Sequence, residues 1–90
     1  MKSRIVDCVK HQQKLKGLNE PPFPGKDGEE IYKNISQKAW EEWLTFQTML
    51  INEKQFSLLD PDVRTYLRAQ MWHFFNNEEV DSIEGFEPES

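Results

Sequence analysis

The 90-residue chain has one cysteine, two histidines and four glycines. Each scarcity excludes something. A lone Cys8 rules out an intramolecular disulfide. Dense metal signatures are missing too: there is no CxxC pair and no HExxH. There is no Glu-x-x-His helix pair either, since Gln70 stands three residues before His73 and Cys8 three before His11. No D-x-D-x-D-G calcium loop occurs, and "PGKDG" lacks the spacing of a phosphate-binding loop. No segment approaches the ~18 apolar residues of a membrane span. Residues 1–18 are polar and hold no leader-type apolar core, so a cytoplasmic location is expected, where a free thiol persists.

Basic residues are also in short supply, 11 against 16 acidic, for a net charge of -5. That balance opposes binding to nucleic acid, whose phosphates need clustered Lys and Arg. Neither a nucleic-acid nor a membrane partner is expected. The charge is lopsided. Lys2, Arg4, Lys10, Lys14 and Lys16 crowd the N-terminal end, whereas residues 79–90 form an acidic tail without Lys or Arg. Such a tail is either a solvated terminus or an attractor of cations or a basic partner.

Aromatic residues are abundant: three Trp, six Phe and two Tyr. Each ring buries about 150–250 Å². A chain of this length buries only roughly 60% of its unfolded surface, so the rings are what let it fold as a single domain, residues 1–90, without disulfide or structural metal.

The segment from Arg4 to Val9 reads as a short strand, with Arg4, Val6, Cys8 and Lys10 on one face and Ile5, Asp7 and Val9 on the other. Its pairing partner is either the segment around Gln13–Leu18 or the C-terminal tail. Residues 17–28, "GLNEPPFPGKDG", are too rich in Pro and Gly for regular structure and form an ordered connector pinned by Phe23. A short helix starts at Asp27 or Gly28 and buries Ile31, Tyr32 and Ile35. Ser36 caps a second helix through Lys54. Its inward stripe is Trp40, Trp43, Leu44, Gln47, Leu50 and Ile51, widened by Phe46 and Met49, with Glu41, Glu42 and Thr45 on the wet side. Asp60 and Pro61 start a third helix ending near Phe75, which buries Val63, Leu67, Met71, Phe74 and Phe75. Two helices joined by a short loop pack antiparallel. The tail docks across the surface through Val80, Ile83 and Phe86. The expected fold class is α+β: a small N-terminal antiparallel sheet of about two strands packed with three helices.

Cys8 is the residue with the most chemical scope. As a metal ligand it has a tempting neighbour in His11. A straight strand puts the two on opposite faces, and they converge only if the chain bends at Lys10. As a reactive thiol it has Lys10 and Arg4 on its own face, and cations favour the thiolate form. As a small hydrophobe it is sealed and inert. The tryptophans, at helical spacing in an acidic chain, read as core rather than as a base-stacking platform.

Several motifs, "RIVDC", "GLNEPPFPG", "IYKNIS", "AWEEW", "QTMLINE", "VRTYLRAQM" and "EGFEP", occur in an order and spacing that resemble the bacterial Fe(II)-trafficking, oxidative-damage-protection family along nearly the whole chain. The resemblance implies a small non-enzymatic cytosolic bacterial protein. It would handle labile Fe(II), bound weakly if at all, and protect iron–sulfur enzymes against oxidants. It implies protein partners in iron–sulfur metabolism, and the chain itself is expected to be a monomer. It carries a functional role onto Cys8 alone, as a thiol linked to iron or to oxidant resistance, with any other metal ligands unknown. His11 lies outside the family pattern. "KQFSLL" and "MWHFF" depart from it in ways that concern helix packing. An alternative reading is a protein-interaction module acting on iron–sulfur or redox partners without binding iron itself.

Overall fold

A computed structural model describes residues 4–80. The acidic tail beyond Val80, with Ile83 and Phe86, lies outside the described residues. The elements are β1 (Ile5–Cys8), β2 (Gln13–Lys16), α1 (Lys26–Asn34), α2 (Gln37–Lys54) and α3 (Pro61–Phe75), an α+β fold. The chain groups into two compact units, Met1–Glu42 and Trp43–Ser90, with the boundary inside the continuous helix α2.

In the first unit, β1 pairs antiparallel with β2, and Val6 faces Leu15 while Cys8 faces Gln13. The Gln13–Lys16 segment is therefore the partner of the first strand. The alternation of β1 is as the sequence requires: Val6 and Cys8 are buried, Ile5 and Asp7 exposed. Asp7 sits opposite Lys14 on the wet face, an opposite-charge cross-strand pair. The strand is shorter than the Arg4–Val9 run of β-formers because the chain turns at Val9–Gln12. The Gln12 amide donates to the Cys8 carbonyl at 2.7 Å. Gln12 adopts φ 52° to close the turn.

The connector folds back without regular structure. The Phe23 ring tilts against Trp40, with centroids 6.3 Å apart. Helix α1 begins at Lys26, one residue before the expected Asp27, after Gly25 at φ 103°. Its first turn carries Asp27 and Glu29, which suits the positive end of the helix dipole. Gly28 is buried, and a β-carbon there would lie 1.8 Å from the Phe23 carbonyl oxygen. The connector's backbone thus rests directly on the first turn of α1.

Ile35 ends α1 in an extended conformation. Ser36 then caps α2, its Oγ accepting from the Ala39 amide at 3.0 Å. The buried stripe of α2 is Ala39, Trp43, Phe46 and Leu50, which differs from the expected one. Trp40 is half-buried, Leu44 is 39% exposed, and Phe46, expected only at the margin, lies at the centre. Trp40, Trp43 and Phe46 spread apolar surface around much of the helix, so periodicity alone does not fix the centre of the stripe.

In the second unit, Trp43 meets Phe74 and Phe75 at centroid distances of 5.8 and 6.4 Å. Phe46 stacks on Phe74 at 5.5 Å. At the other end, Phe56 meets Tyr66 edge-on at 5.3 Å. The middle of α2 against late α3, and the loop after α2 against the first half of α3, is the antiparallel arrangement expected of a short loop. Asp60 caps α3 through the Asp62 amide at 2.9 Å, with Pro61 at the first helical position.

Replacing Gly28 by Ala forces the connector off α1, because the obstruction is backbone. An overpacked site of this kind costs about 2 kcal/mol. Urea denaturation of Gly28→Ala should show a correspondingly lower midpoint; an unchanged midpoint would show that the Phe23 carbonyl does not rest there.

Candidate functional site

Cys8 ends β1 on its buried face, and only 2% of its surface is exposed. The period-2 reading placed Val6, Cys8, Arg4 and Lys10 together. The structure buries the first two and half-buries the other pair. The thiol is held by the start of α2: the Ser36 amide points at its Sγ, 3.4 Å away. A second strap lies next to it, from the Val9 amide to the Asn34 carbonyl at 3.0 Å. Ser36 also bridges to Gly17, the residue following β2. The extended link Ile35–Ser36 between two helices therefore lies along the hairpin and covers the sulfur.

Arg4 anchors the other end of β1. Its guanidinium donates to the Tyr32 carbonyl and, at 3.3 Å, to the Leu18 carbonyl, and it lies 3.7 Å from the centroid of the Tyr32 ring. The sequence places Arg4 in a basic N-terminal end and on the Cys8 face of the first strand. Its use as a clamp between strand, connector and α1 depends on a contact 28 residues distant and leaves no local signal.

The chain does bend after Cys8, the condition under which Cys8 and His11 could converge. Yet His11 turns elsewhere: its Nε2 lies 2.6 Å from Oε1 of Glu42, with side-chain exposures of 15% and 29%. Glu42, expected on the wet side of α2, is half-buried by this contact. Among the described residues, no three His, Cys, Asp or Glu side chains converge as a metal group. Lys10 sits between these features. Burial pushes its ammonium below the ordinary value of 10.5, while the neighbouring Glu42 and Cys8 oppose that shift. The site is thus a covered thiol, a half-buried ammonium beside it, and an imidazole–carboxylate pair at the tip of the hairpin. His73, the second histidine, pairs with Glu78 on the surface at 2.9 Å.

Comparison with known proteins gives the kinship of this small α+β chain with its covered thiol. The chain belongs to the family described as bacterial Fe(2+) trafficking, whose profile matches residues 1–89. It is 57% identical to a protein of Hahella chejuensis over 96% of this chain and 97% of the other. It is 56% identical to one of Marinobacter nauticus over 96% of each, and 52% identical to one of Saccharophagus degradans over 93% of each. All three carry the description "Probable Fe(2+)-trafficking protein". The resemblance carried by "AWEEW" and "QTMLINE" is borne out. The family is one of trafficking proteins rather than enzymes.

Lys10 makes the site pH-sensitive in a definite direction. Its folded-state value lies below the unfolded one, so between the two the unfolded chain binds more protons and stability rises with pH. The penalty is full at neutral pH and is relieved as pH climbs through the folded value towards 10.5. The stability of the wild type relative to Lys10→Met should therefore improve between pH 7 and pH 10.5 in urea titrations; a constant difference would show that burial does not burden the ammonium.

Proposed function

We propose that this protein handles Fe(II) as a labile cargo in the cytoplasm, without catalytic turnover. In doing so it protects iron–sulfur enzymes against oxidative damage, with Cys8 as the functional thiol. The observation that supports this most is the match, over nearly the whole length, to a family described by Fe(2+) trafficking. The site's chemistry fits a carrier better than a store. A thiolate is a competent ligand for ferrous iron, but here the sulfur is covered and no ready-made ligand cluster surrounds it among the described residues. Iron that meets such a thiol is held weakly and released easily, which delivery requires. The protein acts as a monomer on protein partners in iron–sulfur metabolism.

A second reading has its own support. In the loop after α2, Leu58 is 52% and Leu59 90% exposed. Two adjacent leucines presented to solvent fit an interaction module that acts on iron–sulfur or redox partners without binding iron itself.

Anaerobic Fe(II) titration separates the two. Cys8→Ser keeps a side chain that can accept from the Ser36 amide, so it tests ligation with little change of fold. Its affinity for Fe(II) should fall about tenfold or more, and so should its protection of an iron–sulfur enzyme exposed to peroxide. Equal affinity in the two proteins would remove Cys8 from iron handling. If protection is instead lost in Leu59→Asp and kept in Cys8→Ser, the interaction reading stands.

A further inference from the structure

The hairpin turn that follows Cys8 is fastened at its tip by an ion-pair-type contact. His11 Nε2 and Glu42 Oε1 are 2.6 Å apart and largely shielded from water. Glu42 lies in the second turn of α2, and His11 lies in the four-residue turn between β1 and β2. Below that tip, the strap between the hairpin and the α1–α2 link consists of the Val9 amide on the Asn34 carbonyl and the Ser36 amide on the thiol. The turn itself holds Gln12 at φ 52°, a left-handed conformation that a non-glycine residue adopts at a cost. Lys10, in the same turn, is burdened by burial. The segment covering Cys8 therefore carries a backbone cost and a half-buried cation, and the His11–Glu42 contact works against them together with the attraction of Glu42 for Lys10.

We propose that the His11–Glu42 pair is a latch controlling access to the Cys8 thiol. Opening the latch lifts the Val9–Gln12 turn, breaks the short strap and exposes Sγ while the helices remain folded. Stability is not uniform within a domain, and such sub-global openings lie below the global unfolding free energy. Cys8 is thus presented in a minor open state, and whatever loosens His11 or Glu42 raises that state's population. The relevance of this gate to iron rests on the function proposed for Cys8; the gate itself does not, because it is read without iron.

The test is the rate at which a neutral aromatic disulfide, 4,4′-dithiodipyridine, labels Cys8 in the full chain under native conditions. The thiolate attacks the reagent's sulfur–sulfur bond, forming a mixed disulfide and releasing pyridine-4-thione, which is followed by absorbance. His11→Ala and Glu42→Ala should each label about tenfold faster than wild type, as expected for loss of a charge-assisted hydrogen bond. The double variant should label no faster than Glu42→Ala, which removes the His11 contact and the attraction of Glu42 for Lys10 together. Glu42→Gln, which keeps a neutral hydrogen bond, should fall between. In the wild type, labelling should depend on urea much less steeply than global unfolding followed by tryptophan fluorescence, a comparison that holds even if a variant fails to fold. Unchanged rates in folded variants would overturn the latch. So would labelling that tracks global unfolding across urea. Iron titrations that fail for Cys8→Ser would bear on the functional reading and leave these rates untouched.

Discussion

The Ser36 amide directed at the sulfur of Cys8 is the contact on which the first unit of this chain depends. It joins the end of β1 to the start of α2, positions 28 residues apart. Ser36 does this while its hydroxyl caps α2 and its backbone bridges to Gly17. A fully buried serine is uncommon, and it is tolerated here because both polar groups of its N-terminal half are satisfied. Ser36 thus both covers the thiol and starts the helix. A chain that lost the extended Ile35–Ser36 link would lose both the cap and the cover.

What was legible in the sequence was what is local. The burial side of β1 follows from period two. The caps at Ser36 and Asp60 follow from side chains reaching their own helix two or three residues on. The Pro- and Gly-rich connector follows from residues that forbid regular structure. Less legible was the centre of the α2 stripe, because apolar residues surround so much of that helix. Phe46 lies in the core and Leu44 outside it for reasons of packing that spacing does not contain. The long-range polar contacts were not legible at all. Arg4 on Tyr32 and His11 on Glu42 join positions 28 and 31 residues apart. A straight strand points His11 away from Cys8, and the family pattern that keeps Cys8 omits His11. The strand ends at Cys8, and the turn sends His11 to a carboxylate instead.

These contacts give the single thiol a particular character. If Cys8 serves as proposed, Fe(II) delivery requires a ligand that engages and releases, and protection against oxidants requires a thiol that is not consumed by every peroxide it meets. A sulfur covered by backbone and reached through the proposed local opening fits both. The cover belongs to the fold, since it is made of backbone amides and the start of a helix. The ease of opening belongs to the side chains of the turn, where a strained Gln12 and the burial of Lys10 work against the hold of Glu42 on His11 and Lys10. The aromatic cluster of Trp43, Phe46, Phe74 and Phe75 gives the second unit a well-filled apolar core, which keeps local opening and global unfolding distinct events.

In the proposed latch, the segment covering Cys8 opens as a unit while the rest of the chain stays folded. Native-state hydrogen exchange of the Val9 and Ser36 amides, read against the buried amides of α3, tests it most directly. Val9 and Ser36 should exchange with a common opening free energy, clearly below that of Met71 and Phe75 and nearly independent of low denaturant. Exchange of Val9 and Ser36 only with the global unfolding free energy would show that the thiol has no private opening.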